Sequence, residues 1–276
     1  MLDSAIVRGA PRDQAEGLRR LLSRRGLRVL PVAGGENADE RAQAIAQLAA
    51  ALGAAGCATV VLDQSRGGVA RALGAHPRYD LLHLIEGEKT FDEVAVDAGN
   101  GVRLVPASRG LARLAERGKH AEDLFHAFAR LEDPAELVLL NVETPEIAAQ
   151  LLPSTEGEVL LVATTAPGSV TGAYTHIKQL VRARGLTHYR VLLADTPDAI
   201  EGRRVLEHMA GVAGRFLGAH IVHGAIVPRD PRWKNATSRD GALVVRAPEA
   251  PAARVLRQLA SEIGAWRLIE LPALQA

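Results

Sequence analysis

The chain has little cysteine, few aromatic residues and almost no net charge, and each shortage excludes a class of protein. Cys57 is the only cysteine in 276 residues, so a disulfide within the chain is impossible and a reducing, cytoplasmic compartment is expected. Aromatic residues make up 3% of the sequence, which argues against a ligand barrel lined by rings. Thirty-three Lys and Arg nearly balance thirty-two Asp and Glu, so no overall field would attract nucleic acid.

Long apolar runs are also missing. No segment approaches the roughly eighteen uninterrupted apolar residues of a membrane helix, and residues 1–20 carry charges where a signal peptide would be apolar. The tail at 265–276 is interrupted by Pro272 and has only Arg267 as a basic residue. We therefore expect membrane contact to be weak or indirect, through a partner at the cell pole or inner membrane face. The tail side chains that could enter a membrane interface are Trp266, Leu268, Ile269 and Leu271.

What the chain does have is 47% apolar residues, many of them in short runs. Helical stretches with Ala, Ile and Leu at three- and four-residue spacing lie between these runs, at 39–54, 169–184 and 199–217. Apolar strands that alternate with amphipathic helices predict an α/β fold, with a doubly wound, mostly parallel sheet flanked by helices. The predicted strands are 27–32, 58–63, 102–107, 136–142, 158–165, 189–195 and 220–227.

We expect three parts: an N-terminal arm at 1–26, the α/β domain at 27–264 and the tail at 265–276. In the arm, Asp13 can cap a helix that ends near Gly26. One side of this helix is apolar and the other is crowded with arginines. Because no strand packing requires the helix, we interpret the arm as a contact site for a partner, with a solvated amphipathic arm as the alternative.

The loop after the first strand reads PVAGGENADE. A ligand crevice in an open α/β sheet lies at the carboxyl ends of the strands, so this loop is the first place to search. A phosphate-binding loop needs glycines, a lysine and a Ser or Thr for magnesium, but only Gly34 and Gly35 are present. Acidic residues follow, at Glu36, Asp39 and Glu40. A carboxylate about 6 Å from a phosphate charge costs roughly 3 kcal/mol at an effective dielectric of about 20.

This context resembles the MinD/ParA family of P-loop ATPases, whose loop runs GKGGVGKT, and within it the flagellar-number regulators FlhG or FleN. The resemblance implies that Ala33 replaces the signature lysine, Ala38 the phosphate-binding lysine and Asp39 the magnesium-binding Thr or Ser. Asn37 replaces a loop glycine, and because Asn tolerates left-handed geometry the turn itself is expected to survive. By this resemblance ATP binding in the family mode is severely weakened.

Three further stretches of the chain match positions of the family's nucleotide site. The second strand ends in VVLDQS, so Asp63 matches the first family aspartate and Ser65 replaces the second. Asn141 stands in place of the switch II aspartate, and a neutral amide holds a magnesium-bound water less well. Ala194 falls where the family reads adenine. The remaining candidates lie in a matching PRDP turn, at Pro228, Arg229 and Asp230.

Residues 13–19 read DQAEGLR and match the DQAxxLR motif of FlhG proteins. In that family the helix stimulates FlhF, a signal-recognition-type (SRP) GTPase. The resemblance implies that Gln14 helps to position the attacking water, since polar groups supplied by a partner can assist phosphoryl transfer. It also implies that Asp13 and Arg19 fix the helix, while Ala15 and Leu18 pack into the partner.

Three functional hypotheses follow. The first is a pseudo-ATPase regulator of flagellar number or placement that acts on an FlhF-type GTPase and needs no cofactor. The second is a switch that still binds Mg-ATP and dimerises on it, with slow hydrolysis or none. The third is a scaffold that pairs with an intact MinD-like paralogue.

Two of the candidate site features also have simpler interpretations. Gly34 and Gly35 can form an ordinary strand-to-helix turn, and Asp63 can be a strand-end cap. We expect the scattered histidines to be structural or to lie on the surface.

Overall fold

The structure, a computed structural model, describes residues 26–35, 37–117, 122–129, 131, 134–152, 154–235 and 242–271. The predicted arm residues Asp13, Gln14, Ala15, Leu18 and Arg19, and Glu36 of the loop, lie outside the described residues. The strands are β1 Arg28–Gly34, β2 Thr59–Asp63, β3 Val96–Asp97, β4 Val102–Pro106, β5 Leu137–Asn141, β6 Val159–Ala163, β7 His188–Thr196, β8 His220–Pro228 and β9 Ile269–Glu270.

The helices within the described residues lie between these strands. They are α1 Ala38–Ala54, α2 Gly68–Leu73, α3 Leu81–Ile85, α4 Phe91–Val94, α5 Ser108–Glu116, α6 Glu122–Ala129, α7 Pro145–Leu151, α8 Pro167–Arg184, α9 Ala199–Leu217, α10 Pro231–Asn235, α11 Leu243–Arg246 and α12 Pro251–Ile263. The three helices predicted from apolar spacing correspond to α1, α8 and α9.

The central sheet is mostly parallel, as predicted. Its strand order is β3-β4-β2-β5-β1-β6-β7-β8, and the pairs from β4 through β8 all run parallel. The short strand β3 pairs antiparallel with β4. This order brings the carboxyl ends of β2, β5 and β1 side by side, because β5 lies between the other two.

Both faces of the sheet are covered, which explains why the strands are apolar throughout. Val29 and Ala33 of β1 belong to a core shared with α8, whereas Leu30 and Val32 belong to a core shared with α1 and α12. Alternate side chains of one strand therefore face opposite helical layers.

The described part of the tail packs into the α/β domain. β9 pairs antiparallel with the first two residues of β1, Arg28 and Val29. This part of β1 is available on that side because β6 pairs with β1 only from Val32 onward. The four apolar tail side chains that could have entered a membrane interface are instead buried in the core, at Trp266, Leu268, Ile269 and Leu271. Among the described residues, no helix combines the length and apolarity needed to cross a bilayer.

Candidate functional site at the strand ends

The loop after β1 lies at the carboxyl edge of the sheet and leads directly into α1. Asn37 is the N-cap of that helix, and its Oδ1 accepts hydrogen bonds from the backbone N–H groups of Asp39 at 3.0 Å and Glu40 at 3.3 Å. Asn37 is extended, with φ −84° and ψ 98°, so the turn into α1 does not use the left-handed geometry that Asn tolerates. A side chain that caps the helix satisfies the amides that a phosphate would otherwise accept from.

The two loop glycines are required by close packing. A Cβ on Gly34 would lie 2.6 Å from the carbonyl oxygen of Val162, and one on Gly35 would lie 2.7 Å from that of Ser169. The Gly35 N–H also donates to the Val162 carbonyl at 3.1 Å. The contact with β6 and the start of α8 is thus sufficient to explain both glycines, which favours the strand-to-helix-turn interpretation.

Arg41 is the one buried arginine side chain at the described strand ends, and its side chain is 3% exposed. Its Nε donates to Asn141 Oδ1 at 2.9 Å and its Nη1 donates to the Gly35 carbonyl at 3.3 Å. Its Nη2 forms an ion pair with Glu143. The guanidinium therefore joins the loop, the end of β5 and the segment that follows β5.

Asp63 and Asn141 end the neighbouring strands β2 and β5, and each is 1% exposed. Asp63 accepts from Asn141 Nδ2 at 2.8 Å, from the backbone N–H and hydroxyl of Ser65 at 2.9 and 2.6 Å, and from the Val69 N–H at 3.2 Å. Burial raises the pKa of Asp63, while the hydrogen bonds from Ser65, Asn141 and Val69 lower it. Asp63 thus caps the turn into α2 and orients Asn141.

A second polar side chain holds the segment after β5. Gln64 Oε1 accepts from the backbone N–H of Glu143 at 2.7 Å and from that of Thr144 at 2.9 Å. Gln64 is itself buried. The β5–α7 connection is therefore tied to the end of β2 as well as to Arg41.

His176 of α8 lies against the same loop. The Gly34 N–H points to its Nδ1 at 3.3 Å, so Nδ1 accepts and must be unprotonated. Burial lowers the pKa of His176, and nearby Arg41 lowers it further, whereas Glu143 and Glu146 raise it. The ring serves as a neutral acceptor for a loop amide.

The predicted base-reading region lies at the ends of β7 and β8. Ala194 is buried, and Asp195, at a left-handed φ of 50°, pairs with Arg229 Nε at 3.2 Å. Asp230 caps the turn after Pro228, with its Oδ1 accepting from the Arg232 N–H at 2.9 Å. The Arg232 guanidinium lowers the pKa of Asp230.

A cavity of about 680 Å³ lies between α1, α2 and the end of β7. Its α1 wall carries Asp39 and Glu40, and its α2 wall carries Arg71. Arg71 Nη2 lies 3.1 Å from Asp39 Oδ1, and both side chains are largely exposed. Ala194, Asp195 and Trp233 contribute the opposite side. The volume is large enough for a small organic ligand.

The structure brings together most of the predicted site residues, but their polar groups are paired with other groups of the chain. Ala33, Ala38 and Asn37 supply no cation, Asp39 faces Arg71, and both polar atoms of the Asn141 amide are used within the chain. These described residues do not fit a magnesium triphosphate bound in the family mode, because the acidic and amide oxygens already have partners. Among the described residues, no group of three or more His, Cys, Asp or Glu side chains could hold a metal ion.

Arg41, Gln64 and His176 are the site residues that sequence reasoning missed. The sequence could have indicated Arg41, because its spacing from Ile45 and Leu48 places it on the same buried side of α1. A charged residue on a buried helix face must find a partner. Gln64 and His176 carry no comparable pattern.

Comparisons with solved structures identify the fold. A chain of the MinC:MinD cell division protein complex from Aquifex aeolicus has a TM-score of 0.66 and 18% identity, covering 90% of this chain and 99% of that one. MinD complexed with Mg-ADP from Pyrococcus horikoshii OT3 has a TM-score of 0.62 and 16% identity, covering 86% and 96%. The fold is that of the MinD/ParA-type P-loop NTPases.

Comparison with known sequences gives a more specific similarity than the fold does. No family model matches the chain. The antiactivator FleN of Pseudomonas aeruginosa is 28% identical over 248 residues, which is 88% of each chain. This similarity supports the resemblance to the FlhG/FleN family that the loop, the PRDP turn and the DQAEGLR segment predicted.

Proposed function

We propose that this chain is an FlhG-like regulator of flagellar number or placement that works without turning over ATP. In this proposal it binds an FlhF-type SRP GTPase through residues 13–19 and stimulates GTP hydrolysis there. The chain itself is a pseudo-ATPase and takes no cofactor. A protein partner could recruit it to the cell pole.

The observation that carries this proposal is the saturated polar centre at the strand ends. Arg41 contacts Gly35, Asn141 and Glu143 in a space where bound Mg-ATP would need free donors and acceptors. Binding the nucleotide would require these contacts to break and would leave the Glu143 carboxylate beside added phosphate charge. Leaving a donor of the buried Arg41 guanidinium without an acceptor typically costs about 1–3 kcal/mol.

The arm supports the second half of the proposal through its sequence. Every defined position of the family motif is present, from Asp13 to Arg19. The motif is intact, whereas Ala38 and Asp39 have replaced the loop residues that contact phosphate and magnesium. A role in trans requires an intact arm but no hydrolysis by this chain.

The test is a GTPase assay on FlhF with wild-type protein and two arm variants. We expect wild type to raise the rate and Gln14→Ala to reduce the stimulation by about tenfold or more, since positioning groups supply effects of this size. Glu16→Ala is the matched control, because position 16 is undefined in the motif. Stimulation that is missing in wild type, or equal in both variants, would contradict the activator role.

A second candidate function is an ATP-responsive dimerisation switch, and the cavity of about 680 Å³ beside Asp39 and Ala194 favours it. Space for a base remains there even though the phosphate side is filled. Isothermal titration with Mg-ATP separates the two functions. Saturable micromolar binding supports the switch, whereas no saturation at millimolar nucleotide supports the pseudo-ATPase.

A further inference from the structure

The β5–α7 connection, residues 142–144, is held from two sides within the chain. Gln64 accepts both backbone N–H groups at Glu143 and Thr144. Arg41 engages Asn141 before the connection and Glu143 within it. Both holding side chains come from elements that border the predicted nucleotide site, α1 and the end of β2.

The Arg41 contacts form a fork that another residue would not reproduce. Its Nε, Nη1 and Nη2 each have a different acceptor, one in the loop after β1, at Gly35, and two around the end of β5, at Asn141 and Glu143. A lysine could offer a charge but not this planar arrangement of donors. Because the arginine side chain is only 3% exposed, each donor depends on its partner.

The connection leads directly into α7, which begins at Pro145. Pro145, Ala148 and Leu151 of α7 are buried, and the helix packs against α5 and α8. Its solvent side presents Glu146 and Gln150. A fixed connection therefore fixes an exposed surface next to the site.

We propose that Arg41 is a built-in latch that takes the place of a bound nucleotide in ordering residues 142–144. The latch holds α7 in one position whether or not Mg-ATP is supplied, so the surface carrying Glu146 is presented permanently. This inference rests on the proposed pseudo-ATPase function and states how its site is regulated. Arg41 thus does within the chain what a bound nucleotide would otherwise do.

Hydrogen–deuterium exchange of the peptides that cover residues 142–152, in the full-length chain, tests the latch. We expect slow exchange in wild type, unchanged by millimolar Mg-ATP. Arg41→Lys removes the fork but keeps the charge, and it should speed exchange about tenfold or more. Glu143→Gln should act in the same direction, and because Glu143 is partly exposed this variant keeps the test valid if the Arg41 variant is unstable.

Arg71→Gln is the matched control, since it removes the exposed ion pair with Asp39 at the same end of α1. It should leave exchange in residues 142–152 unchanged. Rapid exchange in wild type, or exchange unaltered in both Arg41→Lys and Glu143→Gln, would overturn the latch. A slowing of wild-type exchange by Mg-ATP would overturn the proposed function together with the latch, whereas rapid exchange that Mg-ATP leaves unchanged would overturn the latch alone.

Discussion

At the scale of single residues, Asn141 shows why an amide stands at the end of β5. Its Nδ2 donates to the Asp63 carboxylate, and its Oδ1 accepts from Arg41 Nε. Only a side chain that both donates and accepts can join an acid to a guanidinium in this order. The family aspartate at this position would have no proton for Asp63 at neutral pH.

The substitution Asn141→Asp should therefore destabilise the protein. Two buried carboxylates would meet across a 2.8 Å contact, and we expect a loss of about 2–4 kcal/mol in the free energy of unfolding at neutral pH. The loss should shrink as the pH falls toward about 5, because protonating one carboxyl restores a donor.

Urea unfolding at both pH values measures this effect. Asn37→Asp is the matched control, since an aspartate accepts the same two backbone N–H groups at the exposed N-cap and should change stability by only a few tenths of a kcal/mol. Equal effects of the two substitutions would contradict the assigned role of Asn141.

His176 predicts a specific dependence of stability on pH. Burial and Arg41 lower its pKa in the folded state, so the folded protein binds fewer protons at this ring than the unfolded chain. Stability contributed by neutral His176 is present above the unfolded pKa of about 6.5 and is lost as the pH falls toward the folded pKa.

Replacing this histidine by glutamine separates the hydrogen bond from the titration. The amide oxygen of His176→Gln can still accept from the Gly34 N–H but cannot be protonated. We expect the fall in unfolding free energy between about pH 7 and pH 5 to be shallower in this variant. The same fall in both proteins, measured by denaturant titration, would exclude His176 as its source.

At this scale, the sequence predicted where the polar site residues lie better than it predicted which groups they contact. Asp63, Ser65 and Asn141 do lie together, because strand ends of a parallel sheet share one edge. Their hydrogen-bond partners were not predictable, since Arg41 and His176 come from helices whose rotation depends on the packing of the whole sheet. Charge counting also missed Arg71 as a partner for Asp39.

At the scale of elements, most strands of the sheet could be predicted from the sequence. The seven apolar runs became the seven long strands, because burial on both faces demands continuous apolar sequence. The two-residue strands β3 and β9 carry no such pattern and were missed. A strand this short forms only where a neighbour leaves its edge unpaired, as β1 does at Arg28 and Val29.

The last strand should contribute measurably to stability. Ile269 of β9 is fully buried and packs directly on Gly157. Ile269→Ala should lower the free energy of unfolding by about 2–4 kcal/mol, since a large buried side chain is lost. Glu270→Ala on the exposed side of the same strand is the control and should stay within about 0.5 kcal/mol. Similar thermal unfolding of the two variants would argue against this structural role for the tail.

At the scale of the whole molecule, the resemblance to MinD/ParA proteins could be recognised from the sequence because the fold matches theirs. The doubly wound sheet is present as predicted, and Asp230 caps the turn after Pro228. The new contacts of Arg41 required coordinates, because they join residues 100 and 102 positions apart in the chain. Sequence thus located the cluster of polar residues at the strand ends, and structure supplied the contacts within it.

The pairing of β9 with the start of β1 places the two exits from the domain side by side. The Leu271 N–H donates to the Leu27 carbonyl at 3.3 Å, so a label attached at Leu271 would lie beside the first described strand. A bulky label there would disturb the pairing of β9 with Arg28 and Val29. An internal label on an exposed turn far from Leu27 is the better choice for imaging or pull-down work.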